Sequence, residues 1–308
     1  MSLLLVAPNK DLEPLKKSIL SLDANIDVEI WPRVANKERV TFAVAWNHPK
    51  NVFLDYPNIK AISSLGAGIN HLLNDNTIPT NTALCRLVTN SLKTEMADYV
   101  LQAILSYRHH TIRYADQKRE GFWDKHELIS KKNSVVGILG LGEMGTSVAS
   151  TLIENGYEVN GWSKSQKNIP SVHSFKDNQL DEFLERTNIL VCLLPLTSST
   201  KGILNLENFK KLKQPAYLIN VGRGQHLEEE DLIYALDTQK LTGAWLDVFQ
   251  EETLPKNHLF WNRPNIMITP HIAAVTDAEE AAKRLIENYK RSLSGMELVD
   301  QVNRTKGY

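Results

Sequence analysis

Cysteine is nearly absent: the 308 residues hold two, Cys85 and Cys192, far apart and both in apolar runs. That excludes a disulfide framework, and neither thiols nor histidines fall into a metal-ligating spacing. Two buried, reduced thiols and no metal are expected. Long hydrophobic runs are also missing, since none approaches the roughly 20 residues needed to cross a bilayer. The opening MSLLLVAPNKDLEP lacks a basic leader and soon turns polar, so it reads as a first strand and not a signal peptide. A cytoplasmic setting is the expectation. Charge of one sign is lacking too: 35 Lys and Arg face 36 Asp and Glu, a net charge of -1. Nothing therefore points to nucleic acid or a membrane surface as partner. There is no short-period repeat and no low-complexity tract.

What is present suits a globular protein with room for two cores, with 42% apolar and 23% charged residues. SLLLVAPN, DVEIW and TFAVAW read as strands, with helical spacing from Pro14 to Leu22 between the first two. NIKAISSLGAGINHL gives a strand, a glycine-bearing turn and a helix start. From Thr94 the pattern is helical, with Met96, Val100, Ile104 and Tyr107 at helical intervals. A polar region, Thr111 to Lys132, follows as an exposed arm or lid, with Trp123 inside it. Beyond it, SVVGILGLGEMG, GYEVNGW, NILVCLLPLT, AYLINVGRG, LTGAWLDVF and IMITPHIA are apolar runs closed by Gly, Pro or polar turns. Strands alternating with helices predict α/β architecture with parallel sheets. Asp277 to Leu293 reads as an amphipathic helix that returns to the first domain.

Gly140-Leu141-Gly142-Glu143-Met144-Gly145 has the spacing GxGxxG, after the apolar strand VVGIL and at the start of a helix. The chemistry asks for glycine at a tight turn, at the approach to a pyrophosphate and at the helix–strand contact. The helix N-terminus supplies N–H donors and a positive dipole end for the phosphates. Alone the pattern is weak; inside a complete βαβ unit it predicts a dinucleotide cofactor. Where an NAD-binding chain carries an acid for the ribose 2′-OH, this one offers Ser163 and then Lys164 and Lys167. A hydroxyl and cations suit a 2′-phosphate, so NADPH is expected, with NADH less favoured.

Three more strand ends carry polar residues: NVGRG with Arg223, LDVFQEETLP with Asp247 and Glu252, and TPHIAA with His271. Singly, each has a plain structural explanation as a surface cation, a loop acid or cap, and a satisfied core histidine. Together, in a chain with a dinucleotide turn, three such signals shift the balance toward a functional site at the strand ends.

These stretches, with SLGAGINHL, LLPLTSSTKGILN and ITPHIAAVT, resemble the D-isomer-specific 2-hydroxyacid dehydrogenases in order and over nearly the whole chain. Within that family, AWNHP, GWSKSQK and the final QVNRTKGY are most similar to the glyoxylate/hydroxypyruvate reductase A branch. The resemblance implies two Rossmann-like doubly wound parallel-sheet domains with an active-site cleft between them. Residues 1–97 plus 272–308 would form the substrate domain, and 98–271 the NAD(P)-binding domain. It implies Arg223, Glu252 and His271 as the catalytic set for reducing a 2-oxo acid: a protonated His271 would give a proton to the carbonyl oxygen as hydride arrives, Glu252 would orient the ring, and Arg223 would clamp the substrate's carboxylate and oxo group. It puts Ala67 and Gly68, in the Gly66–Gly68 turn, at the substrate carboxylate, with Trp46 a candidate for the pocket wall. Leu194, Pro195, Val221, Gly222, Arg223 and Asp247 would join Gly140, Gly142, Glu143, Met144, Gly145, Ser163 and Lys164 at the coenzyme. It implies a homodimer formed through Tyr107 to Lys132. One departure stands out: the family's Glu-Pro-Leu reads Glu252-Thr253-Leu254 here. Two rival expectations remain, an enzyme for another D-2-hydroxy acid and a non-catalytic NAD(P)H-sensing binding protein.

Overall fold

Both faces of a parallel sheet are covered, so its strands read as short continuous apolar runs and not as alternating ones. The computed structural model, which describes residues 1–305 and 307, follows that rule. Along the chain come β1 (Ser2–Val6), α1 (Glu13–Leu22), β2 (Asp27–Ile30), β3 (Val40–Ala45), β4 (Ala61–Ser64), α2 (Asn70–Leu73), β5 (Ala83–Cys85) and α3 (Asn90–Arg108). Next are α4 (Thr111–Glu120), β6 (Val136–Leu139), α5 (Glu143–Glu154), β7 (Val159–Ser163), β8 (Val172–Lys176), α6 (Leu180–Glu185) and β9 (Ile189–Cys192). After them run α7 (Leu206–Lys211), β10 (Tyr217–Asn220), α8 (Glu229–Asp237), β11 (Gly243–Leu246), β12 (Ile266–Ile268) and α9 (Ala278–Leu293).

The chain divides into two compact units, Met1–Leu92 with the chain from Val275 onward, and Lys93–Ala274. The first holds a five-stranded parallel sheet in the order β2-β1-β3-β4-β5. Every residue of β1 and β3 is buried, as the runs SLLLV and VTFAVA predict. α9 begins at Asp277, whose side chain accepts the Glu280 N–H at 2.8 Å. Its Ala281, Leu285, Ile286 and Tyr289 bury into the same cluster as Leu15 and Ile19 of α1. The C-terminal helix therefore belongs to the unit that contains the N-terminus.

The second unit holds a seven-stranded parallel sheet in the order β12-β11-β10-β9-β6-β7-β8. One face packs against Phe183, Phe209, Leu232 and Phe260; the other meets Val100, Ile104, Val148 and Leu152. Burial pushes the Cys85 thiol up to about 11 and the Cys192 thiol up to about 12, so both are inert at neutral pH. Among the described residues, no helix is long and apolar enough to cross a membrane.

Two strands differ from what the sequence suggests. β8, VHSFK, is a sheet edge on which Phe175 alone is buried, so it has no apolar run to announce it. β5 has only three residues, Ala83–Cys85, too few for a period to show. Within the polar region, residues 111–120 form α4 while 121–130 carry no regular structure.

Candidate active site

In the seven-stranded sheet the strand order reverses between β6 and β9. At such a switch point two crossovers leave in opposite directions and open a crevice beyond the strands' carboxyl ends. Because every strand is parallel, one edge of the sheet collects the residues that follow β6, β9, β10, β11 and β12. Those are Gly140, Leu194 with Pro195, Val221 to Arg223, Asp247, and Thr269 to His271.

The GxGxxG segment makes the turn from β6 to α5. Gly140 has φ +105°, which a side chain rarely tolerates, and a Cβ on Gly145 would lie 1.8 Å from the Gly140 carbonyl oxygen. Gly142 caps α5 with no side-chain hydrogen bond, and a Cβ there would meet nothing within 4 Å. The first N–H groups of a twelve-residue helix thus face open space beside bare backbone, and this cradle fits a pyrophosphate. Met144 is half-buried, while Glu143 is exposed and 3.6 Å from Lys93. Ser163, at the end of β7, donates its hydroxyl to the Ser165 carbonyl at 2.8 Å. Lys164 and Lys167 follow it, both exposed.

Arg223, Glu252 and His271 fall within the second unit. His271 Nδ1 lies 2.8 Å from Glu252 Oε2, and the two side chains are 36% and 39% exposed. The carboxylate partner assigns the proton on Nδ1, so Nδ1–H donates to Glu252 and the ring is held by it. Burial alone would raise the Glu252 carboxyl. Its hydrogen bond to His271, that residue's charge, the Phe249 N–H and the Arg223 guanidinium outweigh burial and hold it below its usual value. Burial lowers Arg223, with the Glu252 charge opposing, and the guanidinium remains a cation. Its Nη1 donates to the Gly222 carbonyl at 2.6 Å.

Asp247 is 1% exposed, and its carboxylate anchors the turn that carries His271. It accepts from Thr269 Oγ1 at 2.7 Å, Ile272 N–H at 2.8 Å and Ala273 N–H at 2.9 Å. Tyr99 extends the network from α3: the Trp245 Nε1–H donates to its hydroxyl at 2.7 Å, and that hydroxyl meets Thr269 Oγ1 and, at 3.4 Å, Asp247 Oδ1. Burial pushes the Tyr99 phenol up to about 12, so it stays a donor. The proton order then runs from Trp245 through Tyr99 and Thr269 to the carboxylate. His271 itself adopts φ 56°, and its N–H donates to the Asp247 carbonyl at 3.0 Å. A non-glycine residue in that region needs such surroundings to stay there.

In the first unit, Ser64 is fully buried and organises the turn expected to meet the substrate. Its hydroxyl donates to the Gly68 carbonyl at 2.6 Å and accepts the Gly66 N–H at 3.3 Å, which places Ala67 at the apex. Trp46 lies against Gly66, 3.0 Å from where a Cβ would stand, and its ring is 5.1 Å from that of His71. A side chain on Gly66 would displace the indole.

Several residues around these groups carry no conspicuous sequence signal. Tyr99 sits inside a helical pattern and Thr269 inside a strand end. Asn220 and His226 flank Arg223; Asn220 is fully buried, donates to the Arg223 carbonyl at 3.2 Å and accepts the Gly222 N–H at 3.2 Å. The signal available for His226 was its place three residues after Arg223 in NVGRGQH. Among the described residues, no group of three or more His, Cys, Asp or Glu is placed to hold a metal.

A dinucleotide cradle at a switch point, with a histidine–carboxylate pair at the same sheet edge, defines an NAD(P)-dependent oxidoreductase. The family described as "D-isomer specific 2-hydroxyacid dehydrogenase, NAD binding domain" matches residues 101–273, and the chain belongs to that family. More particularly, it is similar to glyoxylate/hydroxypyruvate reductase A of Photorhabdus laumondii, 38% identical over 290 residues and 92% of each chain. The Yersinia enterocolitica protein of the same name is 36% identical over 288 residues, again 92% of each. Among solved structures, a D-isomer specific 2-hydroxyacid dehydrogenase of Xanthobacter autotrophicus, in complex with NADPH and MES, superposes with TM-score 0.94 at 31% identity. That match covers 100% of this chain and 99% of the other. The NADPH-dependent glyoxylate/hydroxypyruvate reductase of Sinorhizobium meliloti, in complex with NADP and sulfate, gives TM-score 0.93 at 32% identity and covers both chains fully.

Asp247→Asn tests the anchor. The amide keeps one acceptor but turns N–H donors toward a buried N–H, which costs about 1–3 kcal/mol. A lower Tm and slower turnover are expected in thermal unfolding and steady-state assays; a variant with wild-type Tm and kcat contradicts the anchoring role.

Proposed function

We propose that the protein reduces small 2-oxo acids, glyoxylate and hydroxypyruvate first among them, to 2-hydroxy acids with NADPH preferred over NADH. The observation that carries this reading is the 2.8 Å pairing of His271 Nδ1 with Glu252. It supplies an oriented imidazole at the sheet edge where the coenzyme cradle opens. When bound, the reduced coenzyme supplies the hydride; all other roles fall to the chain. The protonated His271, with Nδ1–H committed to Glu252, gives its Nε2 proton to the substrate's oxo oxygen as negative charge gathers there. Glu252 holds the ring through Nδ1. Arg223 binds the substrate carboxylate and oxo group through its planar fork. Ala67 and Gly68 offer backbone N–H groups to the carboxylate, and Trp46 closes the apolar side. Ser163, Lys164 and Lys167 supply a hydroxyl and two cations, the chemistry that suits a 2′-phosphate. The NADP-bound relatives support the same preference.

The reading includes a homodimer. Trp123 is 99% exposed, and Phe122, Leu128 and Leu105 are exposed near it in sequence or on α3. Large apolar side chains set in polar surroundings mark association surfaces. A groove along α3, where Leu101 and Leu105 lie among polar side chains, offers further apolar surface. A cytoplasmic setting fits the two buried, unpaired thiols.

Three outcomes are expected. NADPH oxidation followed by absorbance should proceed with glyoxylate and hydroxypyruvate, and kcat/KM should exceed that with NADH by about tenfold or more, the scale of one bond to a charged group. Equal or better efficiency with NADH overturns the preference. His271→Ala should lower kcat by about 10²–10⁴-fold while coenzyme binding is kept; near-normal turnover excludes it as proton donor. Sedimentation should show a dimer for the wild type and monomers for Trp123→Asp with Leu105→Asp; a wild-type monomer removes the dimer from the reading.

A further inference from the structure

His226 is the one histidine of the second unit with no solvent exposure, and the chemistry above gives it no task. Its ring has two distinct partners. The Arg223 N–H donates to Nδ1 at 3.0 Å, and Nε2 lies 3.4 Å from the Pro195 carbonyl. Its backbone closes the same turn: His226 N–H donates to the Arg223 carbonyl at 3.1 Å, and its carbonyl accepts the Leu204 N–H at 2.8 Å. The Pro195 carbonyl is further held by Thr200 Oγ1 at 2.7 Å, which makes it a fixed acceptor. Gly222 lies against the ring, where a Cβ would approach Nδ1 to 3.0 Å. The ring therefore spans two chain segments, the turn after β10 and the loop after β9.

We propose that His226 is a positioning residue: its neutral ring, in the Nε2–H tautomer, ties the backbone of Arg223 to the Leu194–Pro195 loop and so sets the origin of the guanidinium. This rests on Arg223 acting as the substrate clamp. The tautomer follows from the partners, because an N–H donor faces Nδ1 and a carbonyl faces Nε2. A protonated ring would set its own Nδ1–H against the Arg223 N–H, beside a guanidinium. Burial, reinforced by the Arg223 charge, pushes the imidazole down to about 4, so the neutral form prevails at pH 7. A leucine of similar bulk would fill the space but leave the Arg223 N–H buried without an acceptor. The backbone at Arg223 would then relax, and a shift of about 1 Å at a clamp can cost up to roughly 10²-fold.

The test uses the purified full-length protein. His226→Leu is expected to lower kcat/KM for glyoxylate by about 10–100-fold, mainly through KM for glyoxylate. His226→Asn, whose Oδ1 can accept the Arg223 N–H, should recover most of that loss although it packs less well. A general packing defect would make Asn as harmful as Leu, so equal losses overturn the proposal, as does wild-type KM in His226→Leu. Should the leucine variant fail to fold, ¹⁵N–¹H spectra of the wild-type ring at pH 7 decide: an Nε2–H tautomer supports the assignment and an Nδ1–H tautomer overturns it. Arg223→Lys separates the layers. Unchanged glyoxylate kinetics in that variant remove the clamp reading, whereas a large loss there beside a wild-type His226→Leu removes only the positioning role.

Discussion

The buried carboxylate of Asp247 is the interaction on which the histidine's placement depends. Taking a charge of that kind out of water costs several kcal/mol unless donors replace the solvent. Here the replacement comes from the Thr269 hydroxyl and two consecutive N–H groups, with the Tyr99 phenol behind Thr269. Hydrogen bonds to a charged group contribute about 1.5–3 kcal/mol each, enough to offset the burial when several converge. The consequence is geometric. Ile272 and Ala273 are pinned by their N–H groups, and His271, just before them, is held at a positive φ that faces its ring toward Glu252. A side chain at the end of β11 thus determines where a side chain after β12 points.

The same logic holds one strand away. Asn220 and His226 are both fully buried, and between them they bond the N–H and the carbonyl of Arg223. Neutral groups serve there because the guanidinium already brings a positive charge into a poorly solvated place. An acidic residue there would pair with Arg223 directly. The anionic anchor sits under the histidine, and the uncharged anchors sit under the arginine. Electrostatics thus explains the difference between two otherwise similar turns.

Much of this was legible in the sequence. Runs such as VVGIL, NILVC and YLIN announce buried parallel strands, and GLGEMG announces the turn because glycine is demanded by φ at one position and by close packing at another. The three polar strand ends were visible as departures from apolar runs. What stayed hidden is of two kinds. β8 and β5 lack periodicity because one is a polar edge and the other spans three residues. The supporting residues, Tyr99, Thr269, Asn220 and His226, are single polar residues whose meaning comes from partners distant in the chain. Tyr99 lies 146 residues from the indole that donates to it. No local pattern encodes such a contact; it exists only once α3 packs on the sheet.

Asp247 shows where sequence reasoning divides. A polar residue at a strand end suits either a ligand contact or a turn anchor, and both were open from LDVF alone. Three donors on one carboxylate leave its lone pairs largely engaged. A contact to the coenzyme would have to share an oxygen already accepting from Thr269 and Ile272, or the one accepting from Ala273. Sharing of that kind would couple coenzyme occupancy to the His271 turn, because any pull on the carboxylate is a pull on the N–H groups it holds. Anchor and contact are then two ends of one mechanical element. Its stiffness comes from burial: with 1% exposure, no water can enter to replace a donor that moves away.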